Sequence, residues 1–135
     1  MRVINEKPPV YDKIVAAGMK PSNKTVFTYG DAIYNPHKLT LTADVVAHEE
    51  VHERQQGKDP EAWWDRCIAD KAFQAEQEAE GYAAQYDLIC KGVRDRNQRA
   101  RIRYEVATIL SGPIYGNRIG HNEAMDLLKK YSKTK

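Results

Sequence analysis

Hydrophobic and polar positions divide the chain into short segments with different periods. Pro8-Pro9 predicts an extended start. Val10, Ile14, Val15 and Ala17 then follow helical spacing, with Gly18 placed to end the helix and Pro21 beyond it. Thr25-Val26-Phe27-Thr28-Tyr29 is β-branched and aromatic and predicts a strand. Gly30-Asp31 is a turn signal. Ala32-Ile33-Tyr34 predicts a second short strand, stopped by Asn35-Pro36. Together the two strands predict an antiparallel β-hairpin. Its free edge could pair with an extended backbone, or the hairpin could simply cover the core.

From Thr42 onward the pattern is helical. Thr42 is the expected N-cap of a helix that runs to about Gln56, with Asp44 in its first turn and Gly57 at its end. Asp59-Pro60-Glu61 restarts a helix, Asp59 capping and Pro60 in the first position. At least one of Trp63 and Trp64 should anchor the core. A long helix is predicted from about Ala69 to Lys91, with Ala72, Ala75, Ala79, Tyr82, Tyr86, Ile89 and Cys90 on its apolar stripe. Another is predicted over 93–110, with Ile102, Val106, Ile109 and Leu110 inward and Ser111-Gly112-Pro113 as its stop. Asn122 is the expected cap of a last helix through Met125, Leu127, Leu128 and Tyr131, with a fraying Lys-rich tail.

The helix that opens at Thr42 contains His48-Glu49-Glu50-Val51-His52, an H-E-x-x-H pattern. Residues four apart on a helix lie about 40° apart around the axis and one turn along it. His48 and His52 can therefore aim two imidazoles at one point, and neutral imidazole is a good Zn²⁺ ligand. Glu49 lies about 100° round from His48, too offset to join the chelate but placed to act as general base on a water. The competing readings are a solvated histidine pair and a purely structural metal clip. Glu50, Glu53 and Arg54 are expected to face solvent.

An open catalytic zinc site needs a third protein ligand, and the long helix offers Glu76, Glu78 and Glu80. Glu76 and Glu80 lie one turn apart on one side, with Glu78 across from them. Glu76 and Glu78 each flank the apolar stripe, so periodicity does not choose between them. Tyr115 and His121 could donate a hydrogen bond to a developing oxyanion. Their plainer reading is a half-buried tyrosine and a histidine near a helix start.

Composition narrows the class. The 135 residues are 41% hydrophobic and 30% charged, which fits one globular domain spanning 1–135. No apolar run approaches a membrane span, so no membrane partner is expected. The first residues, Met1-Arg2-Val3-Ile4-Asn5-Glu6, lack the apolar stretch of a secretory signal. Cys67 and Cys90 read as reduced thiols. A cytoplasmic location is expected on both counts.

The net charge of +2 hides a segregation. Residues 43–87 carry twelve acids against four bases, and residues 91–103 carry Lys91, Arg94, Arg96, Arg99, Arg101 and Arg103 against Asp95 alone. The basic run is read as a solvated helix face, and nucleic acid is not expected as a partner.

The pairing of His48-Glu49-Glu50-Val51-His52 with Glu78-Ala79-Glu80-Gly81-Tyr82 resembles the gluzincin metallopeptidases. More closely, Thr28 to Pro36, His48 to Gln56, Trp63-Trp64 and Phe73 to Tyr86 resemble small predicted metallopeptidases of bacteriophages and prophages, over roughly residues 25–120. The resemblance implies Zn²⁺ held by His48, His52 and Glu78, with Glu49 as base. It also implies a mostly helical α+β fold, a minimal zincin-like domain with a small antiparallel β-hairpin. Gly81 stands where that pattern usually has alanine. The expected activity is zinc-dependent hydrolysis of peptide bonds in a peptide or protein substrate. The alternative is a catalytically silent, metal-stabilised zincin fold that binds protein or nucleic acid.

Overall fold

The computed structural model of the protein describes residues 1–134. Among these residues, six α-helices and a three-stranded sheet make a mostly helical α+β fold. The order is β1 (Arg2–Ile4), α1 (Tyr11–Ala16), β2 (Phe27–Tyr29), β3 (Ala32–Tyr34), α2 (Ala43–Gln56), α3 (Pro60–Ala69), α4 (Lys71–Ile89), α5 (Arg96–Leu110) and α6 (His121–Tyr131). Single 3₁₀ turns at Cys90–Gly92 and Pro113–Tyr115 flank α5. No helix among the described residues is long and apolar enough to cross a membrane.

The sheet departs from the expected hairpin. β2 and β3 do pair antiparallel, Phe27 opposite Tyr34 and Tyr29 opposite Ala32. But β1 joins the other side of β3 in parallel, Arg2 opposite Ala32 and Ile4 opposite Tyr34, giving the order β1-β3-β2. β3 is thus the central strand. Its Ile33 is almost wholly buried and β2 is left as an edge.

Local chemistry sets most helix ends. Asp59 accepts a hydrogen bond from Ala62 N, Asp70 from Phe73 N and Asp95 from Asn97 N, so α3, α4 and α5 each begin on an aspartate cap. Gly57 ends α2 at φ +57°, a conformation that favours glycine. Two expected caps differ. Thr42 precedes α2 in an extended conformation but makes no side-chain cap bond, and α6 begins after Gly120, so Asn122 lies inside it.

Two apolar clusters flank the α2–α4 pair. One joins Val10, Ile14, Met19, Phe27, Trp63, Trp64 and Cys67, so both tryptophans anchor it. The other joins Ala79 with Val106, Ala107, Leu110, Ala124 and Leu128 across α4, α5 and α6. Each large aliphatic side chain so buried contributes about 1.5–3 kcal/mol. Cys67 and Cys90 are free and buried.

A candidate metal centre between α2 and α4

α2 buries a polar face. Its buried residues are His48, Glu49, Val51, His52 and Gln56, and only one of the five is apolar. α4 meets it with buried Gln74 and Glu78. Burying polar groups is unfavourable unless each finds a partner. Here the partners define the site.

Nε2 of His48 and Nε2 of His52 stand 3.0 Å apart. Glu78 Oε1 lies 3.3 Å from the first and 3.2 Å from the second. Glu78 Oε2 lies 3.1 Å from His52 Nε2. These three residues form a buried group whose ligand atoms all lie within 4.8 Å of one another. Nitrogens on one tetrahedral Zn²⁺ are roughly 3.3 Å apart, given Zn–N distances of about 2.0–2.1 Å. The donor set and its spacing therefore fit a divalent cation.

Both imidazoles are oriented from behind by a glutamine, and each glutamine is held by a carboxylate. His48 Nδ1 is 3.0 Å from Gln85 Oε1, while Gln85 Nε2 donates to Asp44 Oδ2 at 2.9 Å. His52 Nδ1 is 2.8 Å from Gln55 Oε1, while Gln55 Nε2 donates to Glu80 Oε2 and to the Gln77 carbonyl. In each case the amide nitrogen is committed to an acceptor, so the amide oxygen must face the ring. The oxygen accepts from Nδ1–H, so each ring, when neutral, presents its Nε2 lone pair to the cluster.

The three candidate glutamates separate cleanly. Glu78 joins the histidines. Glu76 turns outward to Tyr131 and Lys130 on α6. Glu80 acts through Gln55 and lies 3.8 Å from Arg54.

Glu49 is buried beside the cluster without joining it. Its Oε1 lies 3.1 Å from the Thr28 hydroxyl, and its Oε2 lies 3.7 Å from His48 Nε2. Burial raises its proton affinity above the ordinary glutamate range, against the pull of the two histidines. Burial would raise Glu78 too, but the charges and hydrogen bonds of His52 and His48 outweigh it and hold that carboxyl well below the usual range.

Tyr115 belongs to the site, and His121 does not. Tyr115 donates to Glu78 Oε1 at 2.9 Å, and the Tyr82 hydroxyl lies 2.8 Å from its own. The Tyr82 ring stands edge-on to His48, centroids 4.3 Å apart. Tyr115 is thus engaged on a candidate ligand, which it helps to hold in place. His121 opens α6, stacks on Tyr104 and contacts Thr108 on the exposed side of α5.

β2 crosses the cluster, and its edge is partly closed. The Thr28 carbonyl accepts from Gln56 Nε2 at 2.7 Å and from Trp64 Nε1 at 3.0 Å, so it is not available to an added strand. An outer cleft of about 390 Å³ that includes Val45, Tyr82, Ile109 and Ile114 reaches His48 and Glu49. An inner cavity of about 50 Å³ lies on the same side of His48 and Glu49.

Sequence reasoning missed Thr28, Asp44, Gln55 and Gln85. Gln55 was accessible in principle, since it lies three residues after His52 on one helix. The other three reach the cluster through the crossing of separate elements.

Elsewhere, Arg96, Arg99, Arg103 and Lys129 border a separate cleft. Arg99 donates to the carbonyls of Val93 and Arg94, and Arg103 to the Tyr86 hydroxyl.

No protein-family model, curated protein or solved structure matches this chain.

Proposed function

We propose that the protein is a zinc-dependent peptidase of zincin-like design, with His48, His52 and Glu78 as the metal ligands and Glu49 as general base. The observation that carries this is the position of Glu49. It is a buried carboxylate one residue from a ligand, with one oxygen held by Thr28 and the other turned toward the cluster. A structural metal clip has no use for such a group.

Bound Zn²⁺ would supply Lewis acidity, making water acidic near neutral pH and polarising a peptide carbonyl. The remaining work falls to the chain. Glu49 Oε2 takes a proton from water and returns it to the leaving amine, a task its raised proton affinity suits. Thr28 fixes the other oxygen and so the direction of the carboxylate. The glutamine–carboxylate pairs behind the imidazoles hold both rings in register. A peptide lies in the outer cleft rather than against the Thr28 carbonyl. The resemblance of the His48–His52 and Glu78–Tyr82 segments to gluzincin metallopeptidases supports the same class.

Glu49→Gln tests the proposal, because the amide preserves shape and removes the base. The variant should bind zinc like the parent and cut a mixed peptide library at least about 10²-fold more slowly. Unchanged cleavage would overturn the role of Glu49. A zinc-loaded parent that cuts nothing would favour the silent binding module.

A further inference from the structure

Gln74 lies one turn ahead of Glu78 on the same face of α4 and lines the inner cavity with the metal cluster. Its side chain is buried. The amide is held in one orientation. Its Oε1 accepts from Arg118 at 2.9 Å, and Arg118 is itself fixed by the carbonyls of Cys67 and Ile68 at 2.7 and 2.6 Å. The NH₂ group must therefore turn away from Arg118. Its one hydrogen bond among the described residues goes to the thioether of Met19, a weak acceptor. The second N–H has no acceptor among the described residues, an unfavourable state for a buried donor.

Away from the metal cluster the cavity wall is mostly apolar, from Ile14, Met19, Phe27 and Trp64, with Thr25, Thr28 and Tyr115 as its other polar members. At about 50 Å³ the space is a third of the roughly 150 Å³ in which a dry protein cavity takes up benzene. A space of this size matches a methyl or hydroxymethyl group better than an isobutyl or aromatic one.

We propose that this cavity receives the substrate side chain next to the scissile bond and selects serine, with Gln74 Nε2 donating to the serine hydroxyl oxygen. Gln74 is then the specificity-determining residue, and the assignment rests on the peptidase reading of the cluster. Oriented donors of this kind discriminate well, because an apolar occupant leaves the buried N–H unpaired.

The test is binding of metal-chelating peptide hydroxamates to the zinc-loaded protein, measured by calorimetry, which needs no turnover. Three compounds differ only in the side chain beside the chelating group: hydroxymethyl, methyl and isobutyl. The hydroxymethyl compound should bind about tenfold tighter than the methyl compound, the value of one hydrogen bond, and the isobutyl compound weakest. Gln74→Met, which keeps the volume and removes the donor, should erase the first preference while zinc is retained. If that variant does not fold, the ranking on the parent protein decides alone. Equal binding of the hydroxymethyl and methyl compounds, or tightest binding of the isobutyl compound, would overturn the serine assignment and leave the peptidase reading standing. Failure of all three to bind would overturn both.

Discussion

A Cβ on Gly81 would stand 2.9 Å from both Cδ2 and Nε2 of His48. Real Cβ atoms essentially never come that close, so α4 can approach the imidazole only with glycine at this position. The glycine is there for proximity and not for backbone freedom, since it lies inside a regular helix. Alanine would gain about 0.8–1.0 kcal/mol of helix propensity. Overpacking against a buried ring costs about 1–3 kcal/mol and wins. Gly81→Ala should therefore lower the stability of the protein and displace Nε2 of His48. Zinc affinity should fall at least about tenfold, as measured by chelator competition. An unchanged affinity would mean that the ring moves freely, contrary to its three partners.

The choice among glutamates is sharp enough to test by parallel substitution. Glu78→Ala should all but abolish zinc binding. Glu80→Ala should weaken it about 10–100-fold, the usual effect of losing a group that orients a ligand, because Gln55 would lose its anchor. Glu76→Ala should leave affinity unchanged and loosen only the contact with Tyr131 and Lys130 on α6. Zinc titrations of the three variants check the order.

That order was not legible in the sequence. Glu76 and Glu78 flank the apolar stripe equally, and what separates them is which side of α4 meets α2. The crossing depends on Gly81 facing His48 and on the second apolar cluster pulling α4 toward α5 and α6. Features set by neighbouring residues were legible: the start of α3 at Asp59-Pro60, the end of α2 at Gly57 and the geometry of His48 and His52. Features set by distant partners were not. β1 is three residues long and mostly exposed, so no alternation marks it as the parallel neighbour of β3. Gln85 lies 37 residues from His48 and looks like any polar position on a helix. The weak amphipathicity of α2 arises from a buried face made of ligands and their partners.

Protons should take the place of metal in the metal-free protein. His52 is raised from 6.5 to about 9: burial opposes its charge, but the Glu78 carboxylate, through charge and hydrogen bond, more than compensates. A raised folded value means that the protonated ring stabilises the fold. That contribution is complete below pH 6.5 and is lost as pH rises through about 9. Glu78 is depressed below its ordinary 4.5, so its share is present above that value and is lost only as the solution becomes more acid. In chelator, the Tm should decline between pH 6.5 and 9. With saturating zinc that decline should be absent, because metal displaces the proton, and zinc affinity should rise over the same interval. Thermal melts with and without zinc across this range measure both effects.

The most direct test of the account is the zinc content of the purified protein and of the His48→Ala/His52→Ala double variant, by elemental analysis after dialysis. A single site predicts about one Zn²⁺ per chain in the parent and none in the variant. Stoichiometric zinc retained by the double variant, or a parent that binds no zinc at micromolar concentration, would contradict it.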